Sequence, residues 1–83
     1  MIEEKEEARR IEEKAMKIIR DIAERDISEE DSFMQSEIDS IRFVKMIVAL
    51  EAAFDFEFDE DMLLITKFPH IRSLIDYVKN AVR

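Results

Sequence analysis

From Ser40 to Phe54 the apolar residues Phe43, Met46, Ile47, Leu50 and Phe54 fall at i, i+3, i+4, i+7 and i+11, the spacing that aligns side chains on one face of an α-helix. No other feature narrows the fold as much, because comparable stripes occur twice more. In "EEKEEARRIEEKAMKIIRDIAER" the residues Ala8, Ile11, Ala15, Ile18, Ile19 and Ile22 keep helical spacing, and after Pro69 so do Ile71, Leu74, Ile75, Val78 and Val82. Met62, Leu63 and Ile65, behind a run of acids, suggest a short helix between them. The reading is all-α: a small four-helix bundle of three main helices plus one short helix, in a single domain over residues 1–83. Residues 1–10 hold little that could be buried and are expected to fray or project. The segment "DISEEDSFMQSEID" lacks a helical period and is rich in turn formers, so it reads as a connecting loop with Phe33 and Met34 anchored in the core. Phe56 and Phe58 alternate with acids as an extended strip would.

The second helix is apolar on two faces. Ile41, Val44 and Val48 lie about 100° to 160° from its core stripe at 3.6 residues per turn. They pack against the first helix or the loop, or they form a docking strip beside Ser40 edged by Glu51 and Asp55. Periodicity leaves both readings open.

Composition removes several classes of function. With no Cys, the chain has no disulfide, no thiolate nucleophile and no Cys-based metal site, and suits a reducing cytoplasm. With no Gly it has no glycine-rich phosphate loop. A hydrolytic Ser40–His70 pair would need an oxyanion hole and a strained turn that a Gly-free chain supplies poorly, so no catalytic residues are assigned. No metal site is assigned either. An EF-hand loop starting at Asp55 would have Glu60 where Gly is required and Thr66 where the terminal Glu is required; loose divalent binding is all the acidic run suggests. The net charge of −8 is concentrated between Asp26 and Ile65, where twelve acids face Arg42 and Lys45. That field disfavours nucleic acid and anionic membranes and favours basic patches on proteins. No apolar run reaches the roughly 20 residues of a membrane span, and the start lacks a signal peptide's apolar core. The expectation is a soluble, cytoplasmic monomer.

Asp39-Ser40 stands where the second helix begins, and either residue is a preferred N-cap. "IDSIRFVKMIVALEAAFDFEF" resembles the attachment segment of acyl carrier and peptidyl carrier proteins, and "FPHIRSLIDYV" resembles their final helix. The likeness runs from Ile18 to Val82. It implies that Ser40 receives 4'-phosphopantetheine from coenzyme A, with Asp39 and Ile41 read by the phosphopantetheinyl transferase, and that Ser40 is both cap and attachment point. The thiol that this Cys-free chain lacks would come with the cofactor. The resemblance further implies that Phe33, Phe43, Met46, Ile47, Leu50, Phe54, Phe58, Ile65 and Leu74 form the core and acyl pocket. Arg42, Val44, Lys45, Val48, Glu51 and Asp55 would meet acyl- or aminoacyl-loading and condensing enzymes.

Three positions depart from the family's habit. Glu37 stands where Gly usually precedes the Asp-Ser pair, Arg42 and Lys45 stand where acids are typical, and Phe43 is bulkier than usual. The function implied is a free-standing carrier for a specialised lipid, polyketide or peptide pathway. The rival is an acidic helical adaptor with a carrier-like fold and no prosthetic arm.

Overall fold

The computed structural model describes residues 2–82, with side chains described from Glu6 onward. Three α-helices carry it: α1 (Ile2–Ala23), α2 (Ser40–Phe54) and α3 (Ile71–Ala81). The 22 residues of α1 extend about 33 Å at 1.5 Å per residue, close to the molecule's 37 Å long dimension. Helix α1 packs against both α2 and α3. The expected frayed or projecting start falls partly on Met1 and the side chains of residues 2–5, which lie outside the described residues. The helix is already formed at Ile2, and the first of its described side chains to enter the core is Ile11.

The stripes of α2 and α3 enter the core as their spacing predicts. Phe43, Met46, Ile47 and Leu50 are buried on α2, and Ile71, Leu74, Ile75 and Val78 on α3. Phe54, expected in the core, is only half-buried, with the Lys14 ammonium 5.2 Å from its ring centroid. On α1 the buried face is turned slightly from the expected stripe. Ile11, Ala15, Met16, Ile19 and Ala23 are buried, while Ile18 and Ile22 flank the core half-exposed. A helix wedged against two neighbours buries the arc between them, which brings in Met16 and leaves Ile18 and Ile22 at the margins.

The loop from α1 to α2 is pinned at three apolar points, Ile27, Phe33 and Ile38, all buried. Met34, expected as an anchor, is instead 83% exposed. A tight turn joins Phe33 to Ile38, closed by Glu37 N–H donating to Met34 O (3.1 Å) and Ile38 N–H donating to Phe33 O (3.0 Å). With Phe33 and Ile38 directed inward, Met34 and Gln35 point to solvent. The middle of the loop docks on the start of α3, where Ile71 N–H donates to Asp31 O (2.9 Å) and Arg72 N–H to Glu29 O (2.8 Å). Loop carbonyls thus satisfy amides that helix geometry leaves orphaned, at a helix whose N-cap, His70, makes no side-chain capping bond.

The expected short helix takes the form of two separate 3₁₀ turns, Glu60–Met62 and Ile65–Lys67. Neither has a side-chain cap, and Leu64 between them is extended, so each stops after one turn. Ile65, expected in the core, is half-buried at its edge. Ahead of these turns the alternation persists: Phe58 is buried and Phe56 half-buried, while Asp55, Glu57 and Asp59 are exposed.

Candidate functional site

Asp39 and Ser40 divide the start of α2 between them. Asp39 is the N-cap: its backbone is extended (φ −84°, ψ 175°), and its Oδ1 accepts the Arg42 N–H at 2.8 Å. Ser40 is the first helical residue, exposed, and its hydroxyl makes no hydrogen bond among the described residues. The expectation that Ser40 itself caps the helix is therefore corrected. An Asp carboxylate is as good a cap as Ser and extends further, so the cap falls to Asp39 and the neighbouring hydroxyl stays uncommitted. Ile41, next along, is 69% exposed.

The loop leading into Asp39 holds its shape through Glu37, which lies in the left-handed region (φ 58°). Glycine takes that conformation without penalty, whereas a Cβ costs about 1–2 kcal/mol. Arg25 braces the turn from outside, with Nη1 donating to Ser36 O at 3.1 Å and Nη2 pairing with Glu37 Oε2 at 3.2 Å.

Arg42, expected at the partner surface, turns inward. Its Nη1 donates to Ile22 O (2.8 Å) and Ala23 O (3.1 Å), and its Nη2 pairs with Glu24 Oε2 at 3.2 Å. The last carbonyls of α1 lack intrahelical partners, and a planar guanidinium one turn into α2 reaches two of them together. Glu51 is also drawn in: half-buried, its Oε2 accepts the Phe58 N–H at 2.8 Å. Asp55 is exposed in the left-handed conformation (φ 53°) as the C-cap of α2. Lys45 is exposed with no ion pair among the described residues. Val44 and Val48 stand 52% and 57% exposed. Of the six residues expected at a partner surface, Val44, Lys45, Val48 and Asp55 face solvent, and Arg42 and Glu51 hold the fold. Leu63, expected only as part of the short helix, and Leu64, given no role from the sequence, are also exposed; two adjacent leucines off any helical stripe are the signal the sequence offers.

Behind α2 the interior is aromatic. Phe33 meets Phe43 edge-on at 5.5 Å, Phe43 lies 6.0 Å from Phe68, and Phe68 meets Tyr77 edge-on at 6.0 Å. Tyr77 stacks on Phe58 at 4.9 Å, and Phe58 lies 4.9 Å from Phe56. Such edge-on and offset pairs add to the gain from burial alone. Met46, Ile47, Leu50 and Leu74 complete this core.

Ser40 and His70 begin different helices and share no hydrogen bond among the described residues. The acids between Asp55 and Asp61 do not converge, since no group of three or more metal-ligating side chains occurs among the described residues.

The protein-family model described as a phosphopantetheine attachment site matches residues 13–78. The chain belongs to that family. Comparison with curated proteins and with solved structures finds no match. Members of the family are carriers rather than catalysts, and they bear 4'-phosphopantetheine covalently on a serine. They meet a phosphopantetheinyl transferase and acyl-handling enzymes. The start of α2 suits such a group: a free hydroxyl at the first helical position lies beside helix N-terminal amides, which favour a phosphodiester's charge. When bound, the arm supplies the thiol this carrier's sequence lacks. Among the described residues of the carrier, no helix is long and apolar enough to cross a membrane.

Proposed function

We propose that Ser40 is the serine that takes the arm, and that this carrier holds acyl or aminoacyl groups as thioesters and passes them between enzymes of a specialised lipid, polyketide or peptide pathway in the cytoplasm. The observation that carries the assignment is the exposed Ser40 hydroxyl, left without an internal partner because Asp39 caps the helix. In the transfer, Ser40 Oγ bonds to the phosphorus nearer the pantetheine and the pyrophosphate of coenzyme A breaks. Adenosine 3',5'-bisphosphate leaves, and the hydroxyl proton goes to a base on the transferase. Ser32 is less suited, since its Oγ accepts the Gln35 N–H at 3.0 Å, and Ser36 is buried. Asp39 and Ile41 flank the target, where a transferase reads them. Val44, Lys45 and Val48 offer partners an apolar strip with a cation, in place of the acids usual in fatty-acid carriers.

Intact mass spectrometry after incubation with coenzyme A and a broad-specificity transferase tests the assignment. One phosphopantetheine increment is expected on the wild-type chain and none on Ser40→Ala. An increment that persists in Ser40→Ala would move the site elsewhere. No increment on either would leave the armless adaptor as the better reading.

A further inference from the structure

Resting on the assignment of the arm to Ser40, we infer that the loaded group lies on the surface, in a cleft between α2 and Leu63, and that the cleft selects a compact α-aminoacyl group over a long acyl chain. The cleft is lined by Val44, Ile47, Val48, Glu51 and Leu63 and holds about 150 Å³. In an apolar cavity that volume accepts a molecule the size of benzene.

Position along the helix brings the cleft within reach. At 3.6 residues per turn, Ser40, Val44, Ile47, Val48 and Glu51 fall within about 100° of arc, so they share one face of α2. Glu51 lies about 16 Å along the axis from Ser40 at 1.5 Å per residue. A phosphopantetheine arm has roughly fourteen chain atoms beyond the serine oxygen, which at the spacing of extended backbone reach about 16 Å. An arm laid along this face therefore delivers its thiol to the cleft.

The chemistry of the lining names the occupant. Val44, Ile47, Val48 and Leu63 present methyl groups to a small apolar side chain. Glu51 lines the cleft with its Oε2 accepting the Phe58 N–H, which holds the carboxylate in place, and its charge favours an ammonium group. The interior route is filled: Phe33, Phe43 and Phe68 are each at most 3% exposed, and the Phe43 ring meets both of the others. Admitting a long chain there would displace close-packed aromatic rings.

The test loads Ser40 with amide-linked coenzyme A analogues carrying valine, isovalerate or octanoate, verifies each product by mass, and records methyl and aromatic NMR spectra. The valyl form is expected to shift the methyl resonances of Val44, Val48 and Leu63 and to leave the rings of Phe33, Phe43 and Phe68 in place. Isovalerate, which has the same shape without the ammonium, is expected to shift them less, and Glu51→Gln should bring the valyl form down to that level. Unmoved methyls in a mass-verified valyl form would overturn the proposal, as would an octanoyl form that shifts the three rings. Shifts at Met34, Ile65 and Thr66 would place the group in the apolar recess on that side and overturn it equally. Equal shifts from valine and isovalerate would remove the selection for an ammonium. Absence of any mass gain would instead defeat the assignment of the arm.

Discussion

At position 37 a glutamate holds the left-handed backbone conformation that glycine takes without strain (φ 58°). Relieving about 1–2 kcal/mol of strain, less the roughly 0.5–1 kcal/mol that glycine's extra freedom costs, should leave Glu37→Gly more stable by about 0.5–1 kcal/mol. The exposed pair with Arg25 offsets little of this. In a domain of this size that is a rise of a few degrees in Tm, readable by calorimetry. The position could be suspected from sequence because carriers usually place glycine there, but composition alone does not reveal that a glutamate keeps the same backbone angles. The Asp39-Ser40 pair was half legible in the same way. Both residues favour a helix start, and only geometry shows which one gives its side chain to the helix and which keeps it free.

Helix α2 was readable nearly to the residue, because its stripe and its Asp-Ser start agree on one boundary. The connections were less so, since Ile27 and Ile38 carry no period to mark them as core, and nothing in "EDMLLITK" distinguishes one short helix from two 3₁₀ turns. Arg42 was misplaced for a related reason: spacing locates a residue on its own helix but not the carbonyls of another helix within reach. Arg42→Ala should destabilise by about 1–2 kcal/mol, because it removes charge-assisted hydrogen bonds to two α1 carbonyls and leaves them unpaired. Urea denaturation would measure it. Arg42→Lys should recover only part, as an ammonium lacks the planar fork. The Glu24 pair, with side chains 38% and 75% exposed, should contribute under about 1 kcal/mol in a double-mutant cycle. A larger coupling would shift the weight from the carbonyl bonds to the ion pair.

Across the whole molecule α3 is joined to α1 where Lys79 Nζ donates to Glu12 Oε1 at 2.7 Å. The hydrogen bond to Glu12 raises the Lys79 pKa above its ordinary 10.5, with the charges of Glu12 and Asp76 adding to it and burial opposing. A folded pKa above the unfolded one means that the stabilisation is fully present below 10.5 and is lost as pH rises through the folded value. Thermal melts should therefore show wild-type Tm falling more steeply than that of Lys79→Met above about pH 10.5, with the gap between them narrowing as the lysine discharges. Parallel curves throughout would assign the contact no part in stability. A different tie joins the other pair of helices, and it runs both ways: Arg42 of α2 holds the closing carbonyls of α1, and Lys14 of α1 donates to Ala53 O near the close of α2 at 3.3 Å. Neither terminus can then unravel alone without releasing a cation lodged on the other helix. In hydrogen-exchange experiments, amides in the last turn of α1 and the first turns of α2 should open together as one unit, so the surface around Ser40 is kept in form by residues at the far end of the preceding helix.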